Sequence, residues 1–227
     1  MFSNKSSACN YILFPTFFKN NLPKSIFHNI EKNNLGKFGC PSVNSLKDRV
    51  YNVNSYFTIE IEYGIKDNEP YYEYTLDKKT TTLTNRVHDL LSEVLQVSYV
   101  NNIINLQLLS PYAFVTDDKD LEVITTTPNM KTENSIYVSG SLKPYSWVRN
   151  LNSAWTLKNN KKPGKLYFNL ADPFLSFIFN KNVDLQYMET NEKILNYINQ
   201  SLEIVTLRQN LSKIYKTALS RRPKNLL

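Results

Sequence analysis

Acid–base and metal chemistry in this chain would have to start from two histidines, His28 and His88, and two cysteines, Cys9 and Cys40. A serine or cysteine nucleophile would need to borrow one of the two imidazoles. A facial iron site needs two histidines and a carboxylate, so it would consume both. The His-x-Asp or His-x-Glu spacing of jelly-roll oxygenases is missing, because His88 is followed directly by Asp89. His28 and His88 are thus the pair an iron site would use, set against the plainer reading of exposed or internally satisfied side chains. The cysteines lie too far apart in sequence to form a zinc-chelating pair. No Walker loop, G-x-G-x-x-G or G-x-S-x-G occurs, and only five glycines are present. The reading is therefore no catalytic set, no cofactor and no metal.

The carboxylates cluster without matching a known geometry. Asp117, Asp118 and Asp120, with Glu122 following, could ligate calcium, but the run lacks the glycine and the distal glutamate of an EF-hand loop. It reads as a solvated turn. Glu60, Glu62, Glu69 and Glu73 offer glycosidase-like acid pairs, but Glu60 and Glu62 share one strand face, as surface acids do. Tyr71, Tyr72, Tyr74, Trp147 and Trp155 could stack sugars or bases; packing is the preferred reading in a chain with 15 tyrosines. For contact with a ligand or polyanion the candidates are Trp147, Arg149, Arg221, Arg222 and Lys224.

Charge is segregated along the chain. Residues 1–47 carry six lysines and one acid, residues 48–135 seven bases and fourteen acids, and residues 136–227 fourteen bases and five acids. Faces of opposite sign could meet each other or a second copy of the protein, and the acid-free C-terminal segment could meet a polyanion. Nucleic-acid binding by that tail would show a steep salt dependence lost on deleting residues 219–227. Two cysteines imply no disulfide framework. No run is long enough to span a bilayer, and the apolar stretch before Pro15 makes a poor signal peptide. The abundance of Asn, Lys, Ile and Tyr is the skew that an A·T-rich genome imposes.

The elements that would carry these residues are mostly strands. Phe57, Ile59, Ile61 and Tyr63 alternate with polar residues, as in a half-buried antiparallel strand. Tyr71–Leu76 is its expected partner. Val87–Val97 has helical spacing. Asn102–Leu108 and Tyr112–Val115 read as two strands separated by Ser110-Pro111, followed by strands at Leu121–Thr126, Ser135–Gly140 and Ser153–Leu157. Lys161–Asn180 predicts two strands around an elbow from Leu170 to Pro173, with Pro173 opening the second strand and Asp172 bonding nearby backbone amides. From Thr190 the pattern turns helical as one bent helix or two, ending before Pro223. The fold class is mainly β: an antiparallel sandwich or jelly-roll-like body over 41–188, an aromatic N-terminal arm over 1–40, a C-terminal helix or helix pair over 189–222, and a basic end at 223–227.

Several short motifs stand together: Cys40-Pro41, Lys143-Pro144-Tyr145-Ser146-Trp147, Pro163-Gly164-Lys165-Leu166-Tyr167-Phe168-Asn169-Leu170-Ala171-Asp172-Pro173-Phe174, and Arg221-Arg222-Pro223-Lys224. This set resembles uncharacterised proteins encoded by tailed phages of marine bacteria. The resemblance spans about residues 40–225. Where those proteins have Gly-x-Pro, this chain has Ala171-Asp172-Pro173. The resemblance implies a viral origin and brings no activity and no functional residues. The expectation is a non-enzymatic phage protein working by protein–protein contact or self-association, in the virion or the host cytoplasm. A second reading keeps an enzyme on a jelly-roll scaffold, iron-dependent through His28 and His88 or glycan-directed through the acidic middle.

Overall fold

The computed structural model describes residues 7–13, 30–32, 46, 48–55, 57–77, 84–128, 130–170, 172–189, 191–207, 211–223 and 226. These form a mainly β, sandwich-like body with several antiparallel sheets and helices at the C-terminal end. The expected aromatic anchors between Phe14 and Asn29, His28, Cys40 and Lys224 lie outside the described residues.

One long strand, β7 (Ile103–Val115), is the spine of the first sheet. Along one edge, β6 (Leu95–Val100) pairs with its first half and β1 (Ser7–Leu13) with its last residues. Beyond β1 lies β15 (Val183–Tyr187), in parallel. The other edge takes β12 (Asn150–Leu157), followed by β10 (Ser135–Val138). The expected break at Ser110-Pro111 does not occur. Pro111 falls between the β6 and β1 ladders on one side and opposite the register shift between Asn150 and Asn152 on the other. No ladder there needs the N–H that proline lacks.

The second layer is a bent ribbon. One sheet runs β11 (Ser141–Leu142), β8 (Val123–Thr126), β14 (Pro173–Phe179), β3 (Val50–Asn54), β2 (Ile30–Lys32); the other runs β9 (Lys131–Glu133), β13 (Gly164–Phe168), β4 (Ile59–Lys66), β5 (Glu69–Leu76). The consecutive pairs β3–β4, β8–β9 and β13–β14 hold corresponding places in the two sheets, so the same three chain segments pass from one sheet into the other. The bend is hydrogen-bonded at residues 169–172. Asn169 Nδ2 donates to Asp172 Oδ2 at 2.8 Å, and the Ser55 N–H donates to the Asp172 carbonyl at 2.8 Å. Asp172 thus holds the elbow as expected, but its carboxylate takes a side-chain amide rather than backbone N–H groups.

Two cores fill the space between the layers. The first joins Tyr11, Tyr112 and Phe114 to Tyr51, Val53, Phe177 and Phe179. The second joins Ile104, Leu106, Trp155 and Leu157 to Ile59, Ile61, Tyr63, Leu166 and Phe168. Helix α1 (Thr84–Val94) closes the second core through Val87, Leu91 and Val94. It ends earlier than its spacing predicts, because Leu95 and Val97 pair with Leu108 and Leu106 and extend the sheet.

Helices α2 (Glu192–Leu207) and α3 (Leu211–Arg221) form the predicted C-terminal pair. Asn191 Oδ1 caps α2 by accepting the Ile194 N–H at 2.9 Å. Ile194, Tyr197 and Ile198 cover Ala113 and Val115 on the outer face of the first sheet. Ile214 and Ala218 of α3 join the first core.

One boundary differs from the expectation. Part of the segment assigned to an arm over 1–40 belongs to the body, since β1 lies between β7 and β15 and β2 closes an edge of the second layer. Its alternation is short and its flanks are rich in Asn and Lys, so local pattern alone did not mark it as a central strand. Cys9 sits there, 1% exposed, with its thiol pushed up by burial.

Candidate functional site

Of the two histidines, His88 alone lies among the described residues. His88 is exposed on α1, its ring 5.4 Å from that of Tyr74 and its Nδ1 2.9 Å from the Tyr74 hydroxyl. Among the described residues no group of three or more His, Cys, Asp or Glu side chains is placed to hold a metal ion. The acidic turn serves the fold. Asp118 takes the Lys181 ammonium at 2.8 Å, Asp117 takes the Arg222 guanidinium at 2.8 Å, and Asp118 Oδ1 accepts the Asp120 N–H at 3.0 Å.

Glu60 and Glu62 project outward from β4, as alternation requires. Lys165 bridges them at 3.1 and 3.3 Å, and its hydrogen bonds to both carboxylates, reinforced by their charge, hold its ammonium well above the usual lysine range. Tyr71 donates to Glu62 at 2.9 Å. An acid pair already joined by a lysine on an open face is a surface ladder, and it offers no separated proton donor and acceptor.

Trp155 is 1% and Trp147 2% exposed, so neither ring can stack on a sugar or a base. Trp155 packs edge-on against Tyr137 and Phe168, with centroids 5.6 and 5.9 Å away. The Arg149 guanidinium lies 4.6 Å over the Trp147 ring. Both residues line a cleft of about 220 Å³ together with Gln107, Thr125, Ser141 and Asn152. Of the four candidate contact residues that the structure describes, it thus brings two, Trp147 and Arg149, together.

Arg222 is elsewhere and already engaged. Its side chain is 5% exposed, and its guanidinium donates to the carbonyls of Thr116 (2.8 Å) and Tyr145 (2.9 Å) and to Asp117 (2.8 Å), 4.4 Å over the Tyr145 ring. It clamps the end of α3 to the body through these partners. Arg221 beside it is exposed. Their neighbouring positions put them on different sides of the helix end, which composition cannot resolve.

The most distinctive surface was not anticipated from motifs. On the outer face of the first sheet, α2 covers the C-terminal end of β7. Over the other end the ladders place Ser98, Asn105, Thr156 and Ile136 in one row across β6, β7, β12 and β10, and Gln96, Gln107, Ala154 and Val138 in the next. Ile136 is 48% and Val138 43% exposed. None of these eight side chains is charged, in a protein with 21% charged residues. The sequence does carry the signal: from Val94 to Thr116 there is no charged residue at all. Part of that run is uncharged because it is buried; Gln96, Ser98, Asn105 and Gln107 are uncharged and exposed or half-exposed.

Comparison with known proteins adds no relative: no protein-family model matches the chain, and no curated protein or solved structure matches it. Among the described residues, no helix is long and apolar enough to cross a membrane.

Proposed function

We propose that the chain is a non-enzymatic phage protein that works by protein–protein contact, as a virion or assembly component or as an accessory protein directed at the host. The charge-free lattice across β6, β7, β12 and β10 carries this reading. Depletion of charge distinguishes the buried part of a protein interface from ordinary surface better than raw hydrophobicity does. Ile136 and Val138 also lie on β10, which ends the sheet among the described residues, so an apolar strip borders a sheet edge where a partner strand could add. The phage assignment rests on the sequence resemblance, with which the A·T-rich composition agrees.

A photo-crosslinking residue in place of Val138, introduced into infected cells and into purified particles, tests the reading. The expected result is a discrete adduct with one protein, lost when Ile136→Lys is added. No adduct from either source, together with turnover of a defined substrate lost on mutating one acid or histidine, would overturn it.

A further inference from the structure

The end of the sandwich where β6, β12 and β4 finish carries a second feature. The β6–β7 hairpin turns on Asn101 and Asn102, both left-handed with φ of 52° and 62°, the tight two-residue turn that asparagine tolerates. Val100 and Ile103 flank it, 58% and 50% exposed, and Tyr99 is 42% exposed with its hydroxyl donating to Asn102 Oδ1 at 2.9 Å. Val100 and Ile103 are the two most exposed large apolar side chains among the described residues. Three exposed apolar side chains thus flank the two asparagines of this tip.

Beside it runs the β12–β13 loop with exposed Lys158, Lys161 and Lys162. Asn160 Nδ2 ties the loop to the tip through the Asn102 carbonyl at 2.6 Å. Asn134 holds it from beneath, donating to the carbonyls of Lys162 at 2.7 Å and Asn159 at 2.9 Å and accepting the Asn159 N–H at 3.0 Å. No acid occurs between Asn134 and Ala171 in the sequence. The third loop at this end is the Asp67-Asn68 turn; a Cβ added at Gly64 would lie 3.5 Å from the Pro163 Cα, so β4 passes close to the β12–β13 loop just before this turn. It adds Lys66, Asp67 and Glu69, so four lysines face two acids across the three loops.

We infer that this end docks on an anionic bilayer surface, with Val100, Ile103 and Tyr99 entering the headgroup boundary and Lys158, Lys161 and Lys162 meeting lipid phosphates. The pairing of side chains selects this occupant. A nucleic acid would satisfy the lysines but offers little to two aliphatic side chains, because bases are read by stacking and by hydrogen bonds to their edges. A bilayer satisfies both, since acyl chains accept aliphatic groups and tyrosine favours the interfacial region. The docking is peripheral and needs no spanning segment. It is distinct from the protein-contact reading, which rests on the charge-free lattice across β6, β7, β12 and β10, with Ile136 and Val138 at its edge.

Cosedimentation of the full chain tests this, with vesicles of phosphatidylcholine alone and of phosphatidylcholine mixed with phosphatidylglycerol. The expected result is binding to the mixed vesicles only, weakened by salt. Val100→Ser with Ile103→Ser, and separately Lys158→Gln, Lys161→Gln and Lys162→Gln together, should each lower the partition coefficient by about tenfold or more. Ile136→Ser with Val138→Ser should leave it unchanged. Because all these side chains are exposed, circular dichroism should show every variant folded. Absence of binding to mixed vesicles overturns the inference. So does binding lost with the lysines but kept without Val100 and Ile103, which would reassign the loop to a soluble polyanion such as nucleic acid.

Discussion

The two ends of β7 are built from similarly uncharged residues and meet different surroundings. At Tyr112–Val115 both faces are buried: Tyr112 and Phe114 lie between the layers, Ala113 and Val115 under α2. At Ile103–Leu108 only one face is buried, and the outward residues Asn105 and Gln107 belong to the charge-free lattice. The sequence marks the first end by a continuous apolar run and the second by alternation. The difference teaches that lack of charge has two causes. Burial explains it at one end of the strand; at the other the uncovered surface itself must be accounted for, and contact with a partner does so.

The largest expected effect breaks the covered end. Phe114 is fully buried, with its ring 5.0 Å from Phe177 and 5.7 Å from Phe179. Phe114→Ala should cost about 3–5 kcal/mol in urea unfolding. Asn105→Ala and Gln107→Ala should each stay within about 0.5 kcal/mol while weakening partner capture. If they destabilise the isolated chain as much as a core change, the uncovered end is structural and the comparison fails.

The clamp on the covered end comes next. Arg222→Ala leaves the carbonyls of Thr116 and Tyr145 without this donor and should cost about 2–3 kcal/mol. Arg222→Lys should recover little of it, because one ammonium cannot reproduce a planar fork that serves three acceptors. Arg221→Ala, at an exposed position, should fall within about 0.5 kcal/mol. Equal losses at both positions would show that the clamp adds nothing to the C-terminal pair.

Much of the fold was legible in the sequence because period-2 alternation reports burial directly. Ile59, Ile61 and Tyr63 are buried, Glu60 and Glu62 turn outward, and Pro173 opens its strand. Three features escaped for physical reasons. The continuity of β7 through Pro111 depends on where neighbouring strands end, which is a property of the sheet and not of the segment. The place of β1 depends on pairing with residues far along the chain, including the parallel β15. The engagement of Arg222 depends on carbonyls at Thr116 and Tyr145 that meet only in the fold. The candidate site was less legible still. Motif reading favours reactive residues, whereas the lattice stands out by residues that carry no charge and no reactive group.

A smaller effect sharpens the contrast through pH. Tyr63 lies in the second core, donating to Ser135 Oγ at 3.1 Å, and burial pushes its phenol up to about 12. Its folded value exceeds the unfolded value near 10, so the neutral form is favoured in the native state. That contribution is complete below about pH 10 and is lost as pH rises toward 12. Buried Tyr51 and half-buried Tyr137 are raised in the same direction, so the urea midpoint should stay flat in neutral solution and fall steeply in this alkaline window. Tyr63→Phe should lose about 1 kcal/mol at neutral pH and make the alkaline fall shallower by up to one proton. An unchanged alkaline slope would mean that the phenol is not sealed in the second core.

The smallest effect concerns the boundary between the halves. Ser153 is 1% exposed on β12, between Leu151 of the first core and Trp155 of the second. Its hydroxyl and the buried Tyr137 hydroxyl stand near each other and near Thr125, but among the described residues neither closes a hydrogen bond of good geometry. If the boundary is dry, Ser153→Ala removes an unsatisfied hydroxyl and should stabilise the chain by up to about 1 kcal/mol. If a buried water joins the two hydroxyls, the same change removes one of its partners and should destabilise by a similar amount. The dry case is favoured by burial, because Ser153 is 1% exposed and lies on the same strand face as buried Leu151 and Trp155. A urea midpoint that falls for Ser153→Ala, and falls no further when Tyr137→Phe is added, would show a shared water and make the two cores one continuous hydrated interior.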